Sequence, residues 1–396
     1  MFSSEGRTMN QIPRAVPPTD GSPNELHTDW AVHPGVILSR YLDAHGIRQA
    51  ELAERTGLTA KHVNQIMKKS VGISSDVAVL LETALGTPRR FWAQAGADWD
   101  MHVSEQRAEQ TLQEASAWVS GFDLSTLIRH GIVARTDALL DRARKVLRFF
   151  GVASPTAFEA TWLRPRVSFK RSQAYTVHSP NTALWLRLVE RYSQNLGVTA
   201  EYNASRLRKA ATRIPAFTTM PTQAGFEAAQ AALAEAGVAL VFVRQVPETR
   251  VCAATWWVDD RPAIGITERF RKPDIFWFSV LHEIGHLLHH AKRETFLDLE
   301  SDKEESAAND SQPETEANEY AESVLFPGSG KRRIAEAKTR ADLLFLAADL
   351  HLGVAIVAGQ HGHLTGDWRT GGSLRTSLTD EDLEHLELLS QGAGGR

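Results

Sequence analysis

The apolar positions along this chain change their period twice. From His33 to about Trp99 they recur at helical spacing in short blocks, separated by Gly46, Gly57, Gly72 and Gly86. Such closely spaced breaks predict a compact all-helical module. Residues 101–235 alternate helical segments such as LLDRARKVLRFFGV and LWLRLVERYSQNL with turn clusters such as VHSPN, and read as a mostly helical connector. From Val238 the pattern shifts to short β-rich runs, VALVFV, VCAATWWV and PAIGI, which predict a small sheet. The run FWFSVLHEIGHLLHH, residues 276–290, returns to helical spacing. Further helical runs follow to the end, interrupted by a glycine-rich GQHGHLTGDWRTGGS. Residues 1–30 carry Pro, Ser, Thr and Gly without periodicity and read as a flexible leader.

Composition narrows this picture. At 396 residues, 42% hydrophobic and 23% charged, the chain is an ordinary globular sequence too long for one typical core. Its N-terminus lacks the apolar core of a secretory signal, which places the expected protein in the cytoplasm. The longest apolar stretch, LLFLAADLHLGVAIVAG, is broken by Asp349 and His351, so no membrane span is expected. Cys252 is the single cysteine, which excludes an internal disulfide and a thiol-rich metal site. The net charge of −4 conceals segregation: residues 101–215 hold 17 Lys/Arg against 9 Asp/Glu, and 294–322 hold 11 acids against Lys303. Solvated faces and a loop account for both regions as well as a binding role does.

Within RQAELAERTGLTAKHVNQIMKKS, residues 48–70, Leu52 and Ala53 sit on one predicted helix and Val63 and Ile66 on a second, with Gly57 and Leu58 between. That is helix-turn-helix spacing. Thr59 stands where an N-cap is needed, so the second helix should begin at Ala60. With Val63 and Ile66 inward, Lys61, His62, Asn64 and Gln65 lie on or near the outer face, where a recognition helix meets the major groove. Asn64 and Gln65 suit adenine, while Arg48, Arg55, Lys68 and Lys69 suit phosphates. The candidate DNA-binding set is Arg48, Gln49, Thr59, Ala60, Lys61, Asn64, Gln65 and Lys68. A two-helix corner with a solvated face is the alternative.

His282 and His286 are four apart, so a helix stacks them on one face where they can share a metal ion. Neutral imidazoles suit zinc. Glu283 is turned about 100° from His282 and can serve as general base. Chance and a buried-core histidine pair compete with this reading; Pro273 and Asp274 as a helix start, the helical spacing of Ile275, Phe278, Leu281, Ile284 and Leu288, and the preceding sheet favour the metal site. His290 lies roughly 12 Å along the axis from His282, too far to join. A third ligand is therefore expected from PETEANEYAESVLFP, residues 313–327. There helical angles place Glu314 and Glu316 beside the buried stripe and leave both open.

Residues 31–100 resemble, almost end to end, the HigA-type antitoxins of the Xre helix-turn-helix class. The resemblance implies dimeric binding to a palindromic operator in double-stranded DNA, often repression of the chain's own operon. EANEYA and LFP after an HExxH helix, together with the run from VCAATWWVDDRPAIGI into LHEIGHLLHH, resemble the ImmA/IrrE metallopeptidases over roughly residues 225–365. This second resemblance implies a thermolysin-like (gluzincin) zinc domain with Glu316 as third ligand and Tyr320 replacing the usual Phe; the sequence leaves manganese open as the working ion. It also implies that a strand before the metal helix aligns an extended peptide substrate, with Ala263, Ile264, Gly265 and Ile266 as the edge.

The expected protein is thus multidomain and mainly α: a leader (1–30), an all-α helix-turn-helix domain (31–100), a helical connector (101–224), an α+β metallopeptidase domain (225–365) and a tail with a short helix (366–396). The expected activity is zinc-dependent cleavage of a specific regulatory protein such as a repressor or antitoxin. Two readings compete: a non-proteolytic HigA-like repressor whose metal domain only senses or stabilises, and a module that binds a toxin partner through the basic connector.

Overall fold

The computed structural model describes residues 31–163, 180–258, 260–290, 296–299 and 312–392. The leader reading and the acidic stretch before residue 312 fall outside these residues.

His33 starts the first helix. Its Nδ1 accepts from the Gly35 amide at 2.9 Å and Pro34 supplies the first turn, so α1 runs Pro34–His45. Gly35 is required there, because a Cβ would lie 1.9 Å from the Ile66 carbonyl oxygen. Helices α2 (Gln49–Thr56) and α3 (Ala60–Met67) meet at Gly57, whose φ of 73° is the left-handed conformation glycine tolerates. Then come α4 (Ser75–Leu85) and α5 (Arg89–Val119). Leu38, Leu52, Val63, Ile66, Leu81 and Trp92 are fully buried and form the core of this first unit. The boundary between the two compact units falls within α5, after Gln110.

The second unit opens with α6 (Leu124–Arg129), α7 (Leu139–Phe150), α8 (Pro155–Phe158) and α9 (Pro180–Asn195). It continues with α10 (Ala204–Ala211), α11 (Ile214–Phe217) and α12 (Thr222–Ala234). Four strands follow in sheet order β1-β3-β2-β4: β1 (Ala239–Phe242), β2 (Val251–Val258), β3 (Arg261–Ile266) and β4 (Phe296–Leu299). Strand β3 runs parallel to β1 and antiparallel to β2, and β2 runs antiparallel to β4. Helix α13 (Pro273–His289) crosses between β3 and β4 in sequence, and α14 (Gln312–Leu325) packs along it. The chain closes with α15 (Gly330–Glu336), α16 (Arg340–Asp349), α17 (Val354–Thr365), α18 (Trp368–Gly371) and α19 (Asp380–Gln391).

The run VALVFV is apolar at every position because both faces of the sheet are covered. Leu240, Phe242, Ala253, Ile264 and Ile266 point to the core shared with α12 and α13. Ala239, Val241, Val243, Ala254 and Ala263 point the other way, to α9 and the helices before it. Residues read from sequence as a connector therefore build the second half of the core, with Trp185 and Val189 of α9 seated against Gly265. The segment read as a tail is equally integral: Ser390 of α19 accepts a hydrogen bond from the Phe242 amide at 2.7 Å, occupying the outer edge of β1. Gln230 of α12 donates to the Leu240 carbonyl on the same strand. Side chains thus satisfy backbone groups that an open edge would leave for another chain.

Candidate metal centre and DNA-reading helix

Pro273 and Asp274 open α13, and the helix is buried on nearly every side from Phe276 to Leu287. Its first turn is anchored by Arg375, whose Nη2 and Nε donate to Asp274 Oδ2 at 2.7 and 2.9 Å. Two turns on, His282, Glu283 and His286 are 4, 0 and 2% exposed. The imidazole Nε2 atoms of His282 and His286 lie 3.0 Å apart. Glu314 Oε2 completes a triangle, 3.2 Å from His282 Nε2 and 3.6 Å from His286 Nε2. Ligand atoms on one tetrahedral zinc are roughly 3.3 Å apart, so these spacings fit a single ion.

The protonation pattern suits a metal as well. Asn318 Oδ1 lies 2.9 Å from His282 Nδ1 and can only accept, which puts the ring proton on Nδ1 and leaves Nε2 as the donor atom. Burial lowers His286, outweighing the raising effect of Glu314, and keeps its imidazole neutral. For Glu314 burial pulls upward, but its contacts with the His282 and His286 rings outweigh it and hold the carboxyl well below the usual range. Glu283 Oε2 accepts from Thr255 of β2 at 2.5 Å.

The structure brings Glu314, and not Glu316, beside the two histidines. Glu316, the residue implied by resemblance, is bonded to Gln312 Nε2 at 2.8 Å and is not part of the His282, His286, Glu314 group. The reason is helical phase. Ala317 and Ala321 form the seam of α14, Ala317 lies against Gly285 of α13, and Glu314 and Asn318, four apart, share the side that meets His282. Glu316, two residues from Glu314, is turned about 200° away. The spacing E-x-x-x-N in ETEAN was the sequence signal for this pair. His290 reaches the Pro313 carbonyl at 3.2 Å instead of joining the ligand group.

The peptide-aligning edge is corrected too. Ala263, Ile264, Gly265 and Ile266 lie in β3, which is interior and pairs with β1 on one side and β2 on the other. Its backbone cannot receive a further strand. The edge on the side of Thr255 is β4, which pairs with β2 from Val251 to Thr255.

In the first unit, Thr59 caps α3 by accepting from the His62 amide at 3.1 Å, and the helix begins at Ala60. Val63 and Ile66 are fully buried. Lys61 and Lys68 are exposed, Asn64 and Gln65 are partly so, and Arg48 and Gln49 lie exposed at the start of α2. Arg55 is engaged by Glu51.

Two stretches of the chain are similar to known proteins. Residues 238–358 match the IrrE N-terminal-like domain of the M78 peptidases, and residues 38–92 match a helix-turn-helix domain. Virulence-associated protein I of Dichelobacter nodosus is 30% identical over 77 residues, spanning 19% of this chain and 71% of that protein. An addiction module antidote protein of the HigA family from Coxiella burnetii shares 22% identity over 21% of this chain and 92% of its own, with a TM-score of 0.20.

Proposed function

We propose that this chain, which carries a match to the IrrE N-terminal-like domain of the M78 peptidases at residues 238–358 behind a helix-turn-helix domain at residues 38–92, is a DNA-binding regulator that also cleaves a specific protein. The convergence of His282, His286 and Glu314 at 3.0–3.6 Å carries this reading. These three residues would hold zinc, with manganese as a second possible ion in a nitrogen and oxygen set. The bound ion would polarise the scissile carbonyl and make water a better nucleophile. Glu283 takes the proton from that water and passes it to the leaving amine. Asn318 fixes the His282 tautomer. An extended substrate would add to β4 in the manner of a thermolysin-like cleft.

The first unit would bind an operator, as a dimer, with Asn64 and Gln65 reading bases and Arg48, Lys61 and Lys68 contacting phosphates. Gln49, Thr59 and Ala60 would lie against the backbone of the duplex. A repressor or antitoxin in the same cytoplasm is the substrate class that fits a peptidase tied to an operator. No helix among the described residues is long and apolar enough to cross a membrane. The test is elemental analysis of purified wild type beside His282→Ala and Glu314→Gln. One zinc per wild-type chain, lost in both variants, supports the reading, and a metal-free wild type that cannot be loaded contradicts it.

A further inference from the structure

We infer that Thr255 is a positioning residue for Glu283, a role that rests on the peptidase reading above. Thr255 and Glu283 are both 0% exposed, and the Thr255 Oγ1 hydroxyl lies 2.5 Å from Glu283 Oε2. The hydroxyl donates and the carboxyl oxygen accepts, at a distance at the short end for an O–H···O hydrogen bond. The same Oγ1 lies 3.5 Å from the main-chain carbonyl of Glu283, so the hydroxyl sits over both ends of this residue.

The donor stands on a fixed platform. Thr255 pairs with Ile264 of β3 and Phe296 of β4, and strands on both sides hold its backbone in register. It points to the same face as Ala253, toward α13, as the period-two alternation of a strand requires. A glutamate side chain alone has three rotatable bonds, and a general base must present one oxygen within hydrogen-bond reach of its water. Committing Oε2 to the sheet assigns the proton transfer to Oε1. The ligands are held by helix-to-helix contacts, whereas the base is held by the sheet.

The test uses full-length Thr255→Val, Thr255→Ser, Glu283→Ala and the Val/Ala double variant. Turnover is followed on the zinc-loaded proteins with an internally quenched random-decapeptide pool, and denaturation midpoints are measured on the metal-free proteins. The near-isosteric Val variant should lose kcat on the order of 100-fold with KM within about twofold, and Ser should restore it to within about threefold. In the metal-free proteins the double variant should be less destabilised than the sum of the two single variants. Full kcat in Thr255→Val, or strict additivity of the midpoints, overturns the assignment. Stability coupling in a wild type that neither turns over the pool nor depletes any repressor or antitoxin encoded beside it in cells would instead contradict the peptidase reading, and the positioning role would fall with it.

Discussion

Gly285 offers a direct test of how the third ligand is placed. A Cβ added there would lie 2.9 Å from Ala317 Cα, 3.1 Å from its carbonyl oxygen and 3.3 Å from its Cβ. Ordinary carbon contact begins near 3.4 Å, so α14 would have to retreat by about 0.5 Å. Ala317 is flanked by Glu314, one turn before it, and by Asn318 immediately after, so the ligand and the residue orienting His282 move together. Metal sites hold their distances to within about 0.2 Å, less than this retreat. In Gly285→Ala, zinc affinity should therefore fall by about 10–100-fold, the range seen when a ligand's support is lost. Stability of the metal-free protein should change far less. Alanine gains up to about 1 kcal/mol over glycine within a helix, against an overpacking cost of about 1–3 kcal/mol. Competition with a chromophoric chelator measures the affinity, and denaturant unfolding of the metal-free protein measures the stability. Wild-type affinity in this variant would refute the claim that close packing of α13 and α14 sets the ligand geometry.

Three further outcomes are expected. Glu314→Gln should release the metal and Glu316→Gln should retain it, while Asn318→Ala weakens binding about 10–100-fold; elemental analysis and chelator competition decide between the two acids. His130, hydrogen-bonded to Tyr192 and buried, is lowered to about 4 by burial first and then by Arg129, Arg191 and Arg244. Between pH 6.5 and 4 the unfolded chain binds this proton and the folded one does not, so stability is full above 6.5 and falls as the pH drops through that window. The difference is about 3 kcal/mol, and His130→Gln should flatten that limb of a denaturation-against-pH series. On operator DNA, Asn64→Ala should cost about 1–3 kcal/mol at the base it reads, and Lys61→Ala should reduce the salt slope by about one, both with unchanged metal content.

The parts of this architecture legible in sequence are those that depend on local spacing. His282 and His286 advertise a shared helix face, Thr59 and Gly57 mark the turn between two helices, and the β-rich runs after Val238 announce the sheet. The choice between Glu314 and Glu316 is not legible, because two acids flanking one stripe are equivalent until the partner helix is known. Only the contact of Ala317 with Gly285 fixes the phase of α14. The interior place of Ala263–Ile266 is not legible, because strand order is non-local. The edge strand β4 forms after the metal helix, in a stretch whose charge reads as loop. The helices taken for a connector gave no sign of where they pack, although the unbroken apolarity of VALVFV already required cover on two faces. Thr255 carries no motif, and only its distance from Glu283 identifies it.

The central claim is that Glu283 turns a metal site into a peptidase. The most direct measurement compares wild type with Glu283→Gln in cells, with the metal content of both proteins checked and the abundance of repressors and antitoxins encoded beside it followed over time. The account predicts equal metal in both proteins and the disappearance of one such partner only with wild type. Equal persistence of every partner with both proteins would contradict it and leave a metal-bearing DNA-binding regulator.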